Sequence, residues 1–179
     1  MDTISTIELR DEALSSIPET PASFSDLGLS SVVLAAVSDA GYTHPTPIQQ
    51  EAIPVALSGR DIMGLANTGT GKTAAFTLPI IDRLLDGPRR TRVLILTPTR
   101  ELAAQVDDSF RKYGKHSDLD VAAVFGGVPI EPQERALRQG VDVIVATPGR
   151  LIDHNERQNV VFDDLEVLVL DEADRMLDM

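Results

Sequence analysis

Five short apolar runs, each handing over to a helix-like stretch, constrain this chain more than any other feature. They are Ile62 to Ala66, Arg92 to Thr97, Val121 to Phe125, Val141 to Thr147 and Val167 to Leu170. Runs of valine, isoleucine and leucine without polar alternation suit strands buried on both faces. Strands joined through helices close as parallel neighbours, because the crossover has to return the chain to its starting edge. The predicted class is therefore α/β, a parallel sheet with helices on both faces. Helices are expected from Lys72 through Leu78, from Thr99 to about Tyr113 and across Pro132 to Arg138. Another, capped by Ser30 or Ser31 and carrying Val33, Leu34 and Val37, is expected to end at Gly41. Residues 1–23 have few large apolar side chains, two prolines and several acids, and read as a flexible acidic tail; the ordered domain is expected to cover 24–179.

The first run leads into the loop that carries the most specific chemistry. Ala66-Asn67-Thr68-Gly69-Thr70-Gly71 precedes Lys72-Thr73 at the opening of an alanine-bearing helix. Two glycines let the backbone curl so that consecutive N–H groups point at one spot, where the helix start adds partial positive charge. A polyphosphate suits that spot. Lys72 would reach the β- and γ-phosphates, and the Thr73 hydroxyl is a hard oxygen ligand suited to Mg²⁺. The match to the phosphate-loop pattern departs at Ala66, which stands where the first glycine belongs.

Upstream, Thr46, Pro47 and Gln49 fit a capping box, with threonine as N-cap, proline in the first turn and glutamine at the third position. On this stretch alone, capping is the simpler account of Gln49. The alternative is that its amide pairs with N6 and N7 of adenine, an edge that guanine does not present.

Ligands of a parallel sheet sit at the carboxyl ends of its strands. Pro98-Thr99-Arg100, Gly126-Gly127, Thr147-Pro148-Gly149-Arg150 and Asp171-Glu172-Ala173-Asp174 all fall at such ends. Thr99 and Thr147 each combine a capping hydroxyl with a nearby proline and arginine, which caps a helix and also accepts phosphate. Their company on one rim with the glycine loop points to a second phosphate chain beside a nucleotide. Gly126-Gly127 would let its backbone pass close. Asp171 ends a strand where a phosphate-loop NTPase holds Mg²⁺, and Glu172 could activate a water, although acids at a helix start are also ordinary caps.

Composition limits the alternatives. With 16 basic and 28 acidic residues the formal charge is −12, which argues against binding nucleic acid through bulk charge; any contact must be local. There is no cysteine, hence no disulfide or thiolate metal site. His44, His116 and His154 have no ligand spacing and read as loop or surface residues. No apolar run approaches the ~18 residues of a membrane span, and the start lacks the apolar centre of a secretory signal, so a cytoplasmic location is expected.

Taken together, these residues resemble the amino-terminal RecA-like domain of DEAD-box ATP-dependent RNA helicases. The resemblance runs from Phe24 to Met179: Phe24 with Gly41 to Gln49 resembles the Q motif, Ala66 to Thr73 motif I, and Pro98 to Gln105 motif Ia. Gly126-Gly127 and Thr147 to Arg150 resemble the next two RNA-contacting motifs, and Asp171 to Asp174 spells the family's name. Alanine at 66 is the usual family choice, while Asn67 is more often glutamine. The resemblance implies that Gln49 reads adenine with Phe24 packed on the base, and that the 66–73 loop, with Lys72 and Thr73, binds the phosphates and Mg²⁺. It assigns Asp171 to the metal, Glu172 to the base and Asp174 to coupling. Pro98, Thr99, Arg100, Gly126, Gly127, Thr147, Pro148, Gly149 and Arg150 are implied to grip the RNA backbone without reading sequence.

The resemblance also implies parts beyond Met179: a Ser-Ala-Thr strand between the strands of the glycine loop and of Asp171, and a second RecA-like domain with arginine fingers. Without that strand the sheet would have a gap, so these residues alone are expected to be less stable than a complete domain or to recruit another strand. Two functions then compete: part of an ATP-driven helicase, or a module that binds ATP with little turnover.

Overall fold

The computed structural model describes residues 23–66 and 69–177, together with the backbone of Ser5–Glu8. The chain forms two compact units, one made of residues 1–85 and 112–117, the other of residues 86–111 and 118–179.

In the first unit, strand β1 (Ser5–Glu8) pairs in parallel with β2 (Ile62–Leu65). Four residues assigned by sequence to the tail are thus a strand, because their N–H and C=O groups complete a ladder with β2; the other expected tail residues up to 22 lie outside the described residues. Phe24–Leu27 forms a 3-10 turn capped by Ser23 and ended by Gly28 at φ 85°. Helix α1 (Ser31–Asp39) starts on Ser30 and stops short of Gly41, as its sequence predicts. Helix α2 (Pro47–Leu57) starts on Thr46, and α3 (Lys72–Leu84) runs six residues past the predicted Leu78 in spite of Pro79. Ala75, Leu78, Ile81 and Leu84 make the difference: all are buried, so packing outweighs the missing proline N–H. Ile48, Ala52 and Ala75 pack together with Ile62 and Ala66, which gives alanine at 66 a place in the core.

The second unit holds a four-stranded parallel sheet in the order β4 (Val121–Val124), β5 (Val143–Ala146), β3 (Val93–Leu96), β6 (Val167–Leu170). The register aligns Val124, Ala146, Leu96 and Leu170 at one end. Leu94, Ile144 and Ala146 face a cluster with Leu137 of α5 (Glu131–Gln139) and Leu151 of α6 (Pro148–Glu156). Val93, Ile95, Val143 and Val145 point to the opposite face and are also fully buried, so both faces are covered, as the unbroken apolar runs predict. Helix α4 (Arg100–Tyr113) follows β3, and the five-residue α7 (Ala173–Leu177) follows β6. Among the described residues β6 has a neighbour on one side only, and its Leu168 and Leu170 are more than half exposed.

His154 departs from the sequence reading. It is not a surface residue but has no exposed area, held in α6 against Gln133 and Asn159. Burial lowers its pKa below the ordinary 6.5, helped by Arg150 and Arg157 and opposed by Glu134 and Asp153. A histidine with a depressed folded pKa takes up protons preferentially when unfolded. Its contribution to stability is present above pH 6.5 and is lost as pH falls through the folded value. The melting temperature is therefore expected to drop as pH falls below 6.5, and a His154→Phe variant to show a flatter profile. Parallel profiles for the two proteins would remove His154 as the cause.

Candidate functional site

The glycine loop has the conformation its sequence predicts. Gly69 and Gly71 lie at φ 85° and 92°, backbone that favours glycine, and Gly71 is the N-cap of α3. Glycine as N-cap has no side chain with which to cap the helix, and helix N-termini of this kind suit an external anion. Among the described residues the Lys72 ammonium and the Thr73 hydroxyl make no hydrogen bond or ion pair, and both side chains are half-buried. Asn67 and Thr68 lie outside the described residues.

Gln49 is 6% exposed and does two jobs. Its Oε1 accepts the Thr46 N–H at 3.0 Å, the return half of the expected capping box. The Thr46 hydroxyl sits in capping position, but it is buried and makes no hydrogen bond of good geometry. Gln49 Nε2 donates to the carbonyl of Gly71 at 3.1 Å, which ties the helix cap to the phosphate loop; sequence reasoning gave no sign of this. Gly71 is favoured by its φ, and a Cβ there would stand 2.5 Å from Nε2, so any other residue would displace the Gln49 amide. Phe24, also 6% exposed, is packed into the first unit as the opening residue of its 3-10 turn.

All four strands of the second unit's sheet are parallel, so the loops after β4, β5, β3 and β6 open on one rim in that order. This brings together Gly126-Gly127, Thr147 to Arg150, Pro98 to Arg100 and Asp171 to Asp174. The two threonines differ. The Thr99 hydroxyl accepts the Leu102 N–H at 3.3 Å and so caps α4, whereas Thr147 is the N-cap of α6 with no side-chain capping bond. Arg100 is exposed and pairs with Glu101 at 2.7 Å. Arg150 directs Nη1 and Nη2 to the carbonyl of Val128, both at 3.2 Å, so part of its fork is spent on the glycine turn. Gly126 and Gly149 have ordinary φ, and a Cβ on either would meet nothing within 4 Å. The fold makes no demand for glycine there, and the bare backbone is open to an approaching chain. Gly127, at φ 81°, is a true left-handed position.

Strand β6 delivers Asp171 to the rim, its N–H bonded to the carbonyl of Leu96 at 2.9 Å. Glu172 then adopts φ 51°, a left-handed conformation that costs a non-glycine residue roughly 1–2 kcal/mol. Such strain gathers at functional sites. Its Oε2 accepts from Arg175 Nη1 at 2.6 Å, and its side chain is 15% exposed. Asp174 is exposed in the first turn of α7.

Comparison with known proteins agrees with this geometry. The profile of the family described as DEAD/DEAH box helicase matches residues 46–179. The chain is 50% identical over 164 residues to the ATP-dependent RNA helicase SrmB of Escherichia coli, a match covering 89% of this chain and 37% of that protein. It is 52% identical over 161 residues to DEAD-box ATP-dependent RNA helicase 28 of rice, covering 88% of this chain and 20% of that one. It therefore spans well under half the length of these relatives. The crystal structure of a DEAD box protein from the hyperthermophile Methanococcus jannaschii superposes with a TM-score of 0.82 at 40% identity, covering 88% of this chain and 43% of that one. With the phosphate loop, the Asp-Glu-Ala-Asp strand end and the parallel rim each in place, and with a family match over three quarters of its length, the chain belongs to the DEAD/DEAH box helicase family.

Proposed function

We propose that this chain is the ATP-binding and RNA-backbone-binding part of an ATP-dependent RNA helicase that works in the cytoplasm, and that the whole protein couples ATP hydrolysis to local duplex opening with a second RecA-like domain. The observation that carries this reading is the loop ending in Gly71: two left-handed glycines before a helix whose N-cap has no side chain, with Lys72 and Thr73 making no side-chain bond among the described residues.

Roles follow from chemistry. The loop from Ala66 to Gly71 and the first N–H groups of α3 hold the phosphates, with Lys72 on the β- and γ-oxygens. Thr73 in the first unit and Asp171 in the second each offer a hard oxygen donor of the kind that Mg²⁺ takes, and the ion would neutralise charge developing on the phosphoryl group. Glu172 orients or deprotonates the attacking water, and Asp174 couples the site to the rest of the protein. Gln49 retains one amide N–H and one carbonyl lone pair after its two internal bonds. An adenine edge asks for one acceptor and one donor, so both roles of Gln49 are compatible, with Phe24 bordering the base. On the rim, Pro98, Thr99, Arg100, Gly126, Gly127, Thr147, Pro148, Gly149 and Arg150 grip sugar and phosphate. That mode suits an acidic protein, because backbone amides and a few arginines need no basic surface.

Two measurements test the reading. Titrating Gln49→Ala with Mg·ATP and Mg·GTP should give a ratio of affinities near one; a ratio unchanged from wild type would leave Gln49 a cap alone. For RNA, the two threonines should part company. Thr99→Ala is expected to cost about 1 kcal/mol of stability, the usual cost of losing a cap. Thr147→Ala should leave the melting temperature almost unmoved and weaken single-stranded RNA binding about tenfold, one hydrogen bond to a charged group. Equal behaviour of the two variants in both assays would dissolve the distinction.

A further inference from the structure

Three buried polar side chains in the second unit have no part in the roles above: Gln133 and Asn159, each 8% exposed, and His154, with no exposed area. Buried polar groups have to be partnered, and here the partners form one directed chain. Arg138 donates to Asn159 Oδ1 from Nε and Nη2, both at 3.3 Å, which fixes the amide so that Nδ2 faces Glu134 Oε1 at 3.0 Å and His154 Nδ1 at 3.3 Å. The imidazole Nδ1 must then accept, so the proton sits on Nε2, which donates to Gln133 Oε1 at 3.3 Å. That orients the Gln133 amide with Nε2 toward the carbonyl of Phe125, at 3.0 Å.

Phe125 immediately precedes Gly126-Gly127, and the carbonyl on the far side of that pair, at Val128, is the one Arg150 holds from α6. Two glycines have no side chains with which to fix their own conformation, and so the turn is set by its flanks. One flank is pinned from α5 through Gln133 and the other from α6 through Arg150. The chain of donors has a single polarity from a guanidinium to a backbone carbonyl, so each link constrains the next.

We propose that Gln133, its amide held by His154 and Asn159, is a positioning residue for RNA: it sets the Gly126-Gly127 turn so that the turn's backbone meets a phosphate. This rests on the rim binding RNA as proposed above. Gln133 itself touches no RNA.

The test uses the full-length protein, a fluorescent single-stranded oligouridylate, and anisotropy titrations across a salt series. Gln133→Met keeps length and apolar bulk but removes the donor to Phe125. It is expected to bind RNA at least tenfold more weakly, with the slope of log affinity against log salt reduced by about 0.7, the share of one phosphate contact on a single strand. Mg·ATP affinity should stay within twofold, because only the turn has moved. A purely structural loss would instead shrink the active fraction and leave the affinity and salt slope of the remaining molecules as in wild type, and that result overturns the proposal. If Gln133→Met does not fold, His154→Phe decides: it frees the Gln133 amide to rotate and should weaken binding about threefold with a smaller salt slope, whereas wild-type affinity and slope would overturn the proposal. Wild-type protein that binds no RNA would sink the RNA reading and this inference with it; wild-type binding beside unaffected variants would sink this inference alone.

Discussion

Lys72→Ala is expected to lower affinity for Mg·ATP at least a hundredfold while leaving the fold as stable as before or slightly more so. The sign of the second effect is the informative part. Lys72 is the first residue of α3, where the helix dipole is positive and a cation is disfavoured by about 0.3–1 kcal/mol. It has no acid to offset that cost among the described residues, and alanine is the better helix former. A lysine that gains nothing from the fold where it stands is what the proposed phosphate site requires. Charge-assisted bonds to phosphate oxygens are worth roughly 1.5–3 kcal/mol each, and two of them would account for a hundredfold or more in affinity. Thermal unfolding with and without Mg·ATP reads both effects in one experiment: ligand should raise the wild-type midpoint and leave the variant's in place. A variant that binds like wild type would remove Lys72 from the phosphate site, and one that melts well below it would assign the lysine a structural role.

The features legible in the sequence were those whose cause is local. The strand β6 matches its apolar run from Val167 to Leu170, and β3 to β5 fall within theirs, because unbroken apolar stretches rich in valine with turn residues after them leave few alternatives. Gly69 and Gly71 were legible because glycine before a helix opening in Lys-Thr has one favoured geometry. The Thr46 cap was legible because proline and glutamine stand at fixed offsets from it. What escaped was long-range. His154 lies among Asp153, Asn155 and Glu156 and reads as surface, yet α6 turns it toward α5, 21 residues back in sequence. The bond from Gln49 to Gly71 spans 22 residues and has no signature at either end. Residues 5–8 have the composition of a tail; only the ladder to β2 makes them a strand. The same division holds for the arginines, since nothing near Arg150 in sequence announces that Val128 will occupy its fork.

Glu172→Gln, made in a protein with both helicase domains, is expected to reduce ATP turnover by roughly 10² to 10⁴ while changing Mg·ATP affinity less than twofold. The magnitude is that of losing a positioned general base, and the isosteric amide keeps the site's shape. Two observations point to Glu172 rather than to its acidic neighbours. It holds the left-handed φ of 51°, a conformation that is costly for a side chain of this size and that capping alone does not require. Its carboxylate is also mostly sheltered and pinned on one oxygen by Arg175, three residues on, and Oε1 makes no hydrogen bond among the described residues. Breaking a partly exposed ion pair of this kind costs ~1 kcal/mol or less, so the variant should remain folded at assay temperature. Asp171→Asn makes the necessary contrast: a lost metal ligand should raise the magnesium concentration needed for half-maximal binding, an effect that Glu172→Gln should not show. If Glu172→Gln turns over ATP at the wild-type rate, the strained backbone and the Arg175 pair belong to the helix start alone, and the base has to be sought elsewhere on the rim.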